Sequence, residues 1–133
     1  MSKGLMKNPN AKHIDFKFME GLITDNPKWL GCNIDMCCER NGKFLFGEWK
    51  HPQEPPMKKG QIILLERLSK NPNCIVLLID GFSNEDGIEV NKAVRCNGRK
   101  RKEVANSIKG LQRLIKEFYK WADQEMSVVP DNF

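Results

Sequence analysis

Nowhere does the 133-residue chain run apolar for the eighteen or so residues that a membrane-spanning helix needs, and no such helix is expected. Met1 to Asn10 is polar, carries Lys3 and Lys7, and lacks the apolar stretch of a secretory signal, so a cytoplasmic location is expected. Paired Cys-x-x-Cys or Cys/His groups are missing as well. The five cysteines stand at positions 32, 37, 38, 74 and 96, and the adjacent Cys37 and Cys38 would point to opposite faces of a strand. That spacing argues against zinc. An odd number of cysteines without a signal sequence argues for reduced thiols over a disulfide framework. Internal repeats, low-complexity blocks and linkers are not found either.

What is present is an ordinary globular composition, 40% hydrophobic and 29% charged, in a length that suits one domain. The formal charge of +5 is compatible with a polyanionic partner. Its distribution is more telling. Arg95, Arg99, Lys100, Arg101 and Lys102 crowd one segment, with Lys109 and Arg113 on the helix expected next. Arg99, Lys100, Arg101, Lys102 and Lys109, together with Lys58 and Lys59, form the candidate nucleic-acid contacts. Without a site beside them, the same residues read as a solvated basic loop.

Residues 1–10 are expected to be a flexible N-terminus, 11–127 a single domain and 128–133 a tail. Apolar residues from Ile14 to Ile23 suggest a short helix over His13–Thr24, broken at Asn26-Pro27. Asn33–Glu39 and Lys43–Lys50 alternate as two strands around Arg40-Asn41-Gly42, where Asn-Gly suits a type I′ turn. A helix is expected over Lys58–Ser69, then a strand buried on both faces over Cys74–Ile79. Ser83–Gly87 reads as a polar loop and Ile88–Val94 as a further strand turning at Asn97-Gly98. Leu111, Leu114, Ile115, Phe118 and Trp121 give a helix over Glu103–Glu125 its apolar stripe. The order describes an α/β (α+β) fold, a mixed central sheet flanked by helices.

The first hairpin carries the chemistry. If Asn41 and Gly42 are its loop residues, Arg40 pairs with Lys43 and Asp35 falls opposite Glu48, on one face of the sheet. Lys50 lies two residues on and shares that face. Directly opposed carboxylates repel, and a divalent cation removes the conflict: Mg²⁺ takes one or two carboxylates and keeps waters and phosphate oxygens as its other ligands. Such a site suits phosphodiester hydrolysis, with the lysine supporting developing charge. The plain structural alternative is a charged hairpin edge on which Lys50 relieves the two acids.

Asn33-Ile34-Asp35, the hairpin, and Gly47-Glu48-Trp49-Lys50 resemble the Asp…Glu-x-Lys core of the PD-(D/E)XK nuclease superfamily. Gln61, near the start of the following helix, is similar to a glutamine of its Holliday junction resolvase-like branch. The resemblance covers about the middle half of the chain. It implies a restriction-endonuclease-like core of helix, three strands, helix and strand. It also implies Asp35, Glu48 and the Trp49 carbonyl as ligands of Mg²⁺ (Mn²⁺ as substitute), Lys50 as the water-positioning group, and Gln61 in support. Glu20, on the first helix, is the candidate for a further site member, with a solvated helix residue as its alternative. Ile34 stands where the superfamily's name has proline, a common departure.

Metal-dependent cleavage of DNA, branched or recombining DNA included, is the function the resemblance implies. A homodimer would provide the paired cuts, and a small stand-alone nuclease of this kind suits a phage. The alternatives are a nucleic-acid-binding module without catalysis and a regulatory protein that uses Glu85-Asp86 as a contact. His51 is expected to be structural or DNA-facing, and Trp49 to belong to the core.

Overall fold

A computed structural model describes residues 15–133 of the chain. Its described residues fall into two compact units, one ending at Asn33 and one running from Ile34 to Phe133. In the first unit, the helix expected over His13–Thr24 is replaced by a single 3₁₀ turn, Phe16–Met19; positions 13 and 14 lie outside the described residues. The Asp15 side chain accepts the Lys17 N–H at its start. Gly21, at φ 82°, turns the chain away, and its N–H goes to the Pro27 carbonyl instead of a preceding helical turn. The apolar spacing that suggested a helix therefore has no continuous ladder beneath it, and Phe18 and Leu22 are exposed.

The second unit contains strands β1 (Met36–Arg40) and β2 (Lys43–Lys50), helix α1 (Lys59–Leu68), strands β3 (Cys74–Asn84), β4 (Gly87–Asn97) and β5 (Lys100–Ala105), and helix α2 (Ile108–Asp123). The strands form one mixed sheet in sequence order. β2 and β3 run parallel across the α1 crossover, and every other neighbouring pair is antiparallel. The α+β architecture with helices against a mixed sheet is the one the sequence order describes. Its element order differs from helix, three strands, helix, strand. Among the described residues two strands precede α1, and three follow it.

Local chemistry explains the first hairpin. Asn41 and Gly42 adopt φ of 52° and 80°, the two positive angles of a type I′ turn, and Arg40 pairs with Lys43 as expected. The turn is tied to the end of α2. Arg40 bonds Asp123 at 2.6 Å, and Asn41 Nδ2 donates to the Ala122 carbonyl.

Alternation along the strands sends side chains to two faces. Leu45, Ile75, Leu77, Ile79 and Ala93 pack against Leu111, Leu114, Phe118 and Trp121 of α2, the stripe predicted from the sequence. Trp49 joins this core, half-buried. The tail returns to the same cluster, where Phe133 is buried. Phe46, Val76, Leu78 and Cys96 face the other way and pack against Leu65 and Leu68 of α1. Each fully buried Leu or Phe contributes about 1.5–3 kcal/mol, so both helices are held by burial more than by their capping.

Three boundaries depart from the sequence reading. β3 does not stop at Ile79 but runs to Asn84, so Ser83–Gly87 is a second hairpin with Glu85-Asp86 at its tip, not a loop. The third turn is centred on Gly98-Arg99, with Asn97 still paired to Lys100. Residues 103–105 belong to β5, and α2 begins only after Ser107, whose side chain accepts the Gly110 N–H as its N-cap.

Candidate active site

The hairpin register carries Asp35 to the position opposite Glu48. The last paired residues of β1 and β2 are Met36 and Gly47, and Asp35 follows in the same step. Asp35 lies just outside β1, exposed, and its Oδ2 accepts the Trp49 N–H at 2.8 Å. That bond fastens the acid to the β2 backbone next to Glu48 and occupies one of its two oxygens.

Glu48 is the unusual member. It is 8% exposed, and among the described residues only Ser69, at the end of α1, is also polar and buried. Its Oε2 accepts from Gln61 Nε2 at 2.5 Å, while its Oε1 is buried with no hydrogen-bond partner. Burial, and then the nearby Asp35 carboxylate, push the Glu48 acid up to about 7 against the pull of the Gln61 bond. Gln61 reaches it because α1 starts at Lys59, so its first turn lies over the end of β2. The sequence pairing of Asp35, Glu48 and Gln61 is thus a physical cluster.

Glu48 and Lys50 line one cleft of about 280 Å³ with Met57, Leu78, Asp80, Lys92 and Val94. Among the described residues neither Lys50 nor Lys92 forms an ion pair. Asp80 and Lys92 are site-lining residues that the sequence reading missed. In the sheet, Lys50 of β2, Asp80 of β3 and Lys92 of β4 stand side by side. The available signal was an aspartate at the very end of the apolar run before Gly81, but its neighbours depend on strand order, which no local pattern reveals.

The remaining candidates lie on other elements. Glu20 is exposed in the first unit, and its backbone N–H closes the 3₁₀ turn on the Lys17 carbonyl; the helix expected to carry it is absent. Lys58 and Lys59 are exposed at the start of α1, and Lys109 and Arg113 along α2. The basic segment is a strand edge, not a loop, and its residues divide between faces. Arg101 bonds Glu66 of α1 at 2.7 Å, whereas Lys102 Nζ donates to the Asp131 and Phe133 carbonyls on the α2 side. Arg95 is half-buried, with its Nε unpartnered. Arg99 and Lys100 remain exposed at the turn.

A second cleft, of about 360 Å³, lies beside Trp49, His51, Phe82 and Ile88. There His51 has a structural part: its Nδ1 accepts the Gln53 N–H at 3.0 Å, and its ring lies 5.4 Å from that of Phe82.

All five cysteines are free thiols. Burial raises the Cys38 and Cys74 thiols, which keeps them protonated and unreactive. Among the described residues no three His, Cys, Asp or Glu side chains stand close enough to hold a metal ion by themselves. Also among the described residues, no helix is long and apolar enough to cross a membrane. No protein-family model, curated protein or solved structure matches the chain.

Proposed function

We propose that the chain is a divalent-cation-dependent endonuclease that hydrolyses DNA phosphodiester bonds at the Asp35–Glu48–Lys50 face. The observation that carries this reading is Glu48: a buried carboxylate with one unpartnered oxygen, set against a second acid and beside an unpaired lysine. Isolated, such a pair is costly, because each charge destabilises the other and one is removed from water. A fold that keeps it has a use for concentrated negative charge.

The residues present fit a Mg²⁺ or Mn²⁺ ion. Among the described residues Glu48 Oε1 has no geometric hydrogen-bond partner, and the hard oxygen donors of the two acids suit these cations. Asp35, Glu48 and the Trp49 main-chain carbonyl would hold the ion. Only two of these are side chains, consistent with the lack of a three-side-chain group and with the waters that Mg²⁺ retains. When bound, the cation supplies an acidified water and neutralises charge on the phosphate.

The chain's own groups divide the rest of the work. Gln61 donates to Glu48 Oε2, which favours the carboxylate form and fixes one of its two oxygens. The Asp35–Trp49 bond fixes the second acid. Lys50, on the same face as Glu48, positions the attacking water and donates to a phosphate oxygen as its charge grows. The exposed Arg99, Lys100, Lys58 and Lys59 contact backbone phosphates away from the reacting one.

Purified protein incubated with linear and branched DNA under Mg²⁺, Mn²⁺ or EDTA tests the reading. Cutting in either cation and none in EDTA is expected. Salt-sensitive binding without cutting would place the chain instead among non-catalytic nucleic-acid-binding modules.

A further inference from the structure

Resting on the cation site just described, we propose that Asp80 is an outer ligand of the same cation, accepting from a water bound to it. Glu48 and Asp80 line one cleft, and each has a buried carboxylate oxygen with no hydrogen-bond partner, Oε1 and Oδ1. Glu48 is more than nine-tenths buried, so its open valence points to a ligand and not to bulk water. The two acids come from adjacent parallel strands: Glu48 pairs with Leu78, Lys50 with Asp80. Asp80 therefore stands one side-chain step along the same face, about 7 Å on.

The lack of a three-side-chain metal group among the described residues keeps Asp80 from acting as a third direct ligand beside Asp35 and Glu48. The offset suits a carboxylate one water removed. Mg²⁺ retains several waters, and groups that hold those waters tune its affinity.

The backbone holds Asp80 in place. The β3–β4 register shifts between Asp80 and Gly81, and a side chain at Gly81 would collide with the Glu89 carbonyl. The extra residue is Asn91 of β4, and a glycine at position 81 is what lets the two strands approach beside Asp80. Asp80 is flanked in register by Lys50 and Lys92, yet among the described residues it pairs with neither. Asp80 is accordingly a positioning residue: it sets the water shell of the cation and, through it, the geometry offered to phosphate.

Calorimetric titration of the full chain with Mn²⁺, without DNA, tests this in wild type, Glu48→Gln and Asp80→Asn. Asp80→Ser serves as the second variant should the amide not fold. Asp80→Asn is expected to weaken Mn²⁺ about 10-fold or more, to leave the metal-free Tm unchanged, and to shrink the rise in Tm caused by Mn²⁺. Wild-type affinity in the Asp80 variants, with binding lost in Glu48→Gln, would overturn the role of Asp80 and leave the cation site standing. No Mn²⁺ binding by the wild type would overturn both.

Discussion

Gln61 Nε2 donates to Glu48 Oε2 at 2.5 Å, joining the first turn of α1 to the buried acid of β2. The bond opposes the burial and the Asp35 charge that push Glu48 up to about 7. Removing it in Gln61→Ala favours the protonated acid. A hydrogen bond to a charged group contributes about 1.5–3 kcal/mol, so the acid limb of the pH–rate profile should move upward by about one to two pH units. Cleavage should fall most near neutral pH and recover toward pH 9. A uniform loss at every pH would show that Gln61 acts by some route other than the charge on Glu48.

Folding stability should depend on pH through the same residue. The folded Glu48 holds its proton up to about 7, against 4.5 for an ordinary glutamate. Between those values the folded state binds more protons than the unfolded one, so this contribution is fully present below about 4.5 and is lost as pH rises to about 7. The loss is at most about 3 kcal/mol by the free energy per pH unit. Denaturant midpoints for wild type and Glu48→Gln from pH 4.5 to 8 measure it. Relative to wild type, the glutamine variant should gain stability with rising pH, and saturating Mg²⁺ should flatten the wild-type slope. Parallel curves would contradict the assignment.

The split of the basic strand separates phosphate contacts from structural ones. Arg99→Ala with Lys100→Ala should lower the slope of log K against log salt for DNA by about 2, since each phosphate contact contributes about 0.9. Arg101→Ala should barely alter that slope, because its guanidinium is paired with Glu66, and should cost less than about 1 kcal/mol of stability. Binding isotherms at several salt concentrations distinguish the two variants.

These contrasts also show what local sequence can encode. Asn41-Gly42 imposes two positive φ angles, which sets the register of the hairpin and brings Asp35 to Glu48. The α2 stripe was equally legible, because burial of one helix face repeats every three or four residues. The polar end of β3 and the lysine-rich β5 were not. Ser83 and Asn84 carry no strand periodicity, and β5 is an edge strand whose exposed charges block further pairing but mimic a loop in the sequence. The first helix failed because Gly21 turns the backbone where the apolar pattern continues. Asp80 joins the site through the parallel β2–β3 pairing, a contact across a whole helix crossover, and Lys92 through the β3–β4 pairing beside it.

The most direct test of the account is single-turnover cleavage of labelled branched and linear DNA in Mg²⁺ by wild type, Glu48→Ala and Lys50→Ala, with DNA affinity measured alongside. Metal-dependent cutting by the wild type is expected, with a fall of about 100-fold or more in each variant and DNA affinity within a few-fold of wild type. Cutting that persists in both variants, or that proceeds in EDTA, would contradict the account.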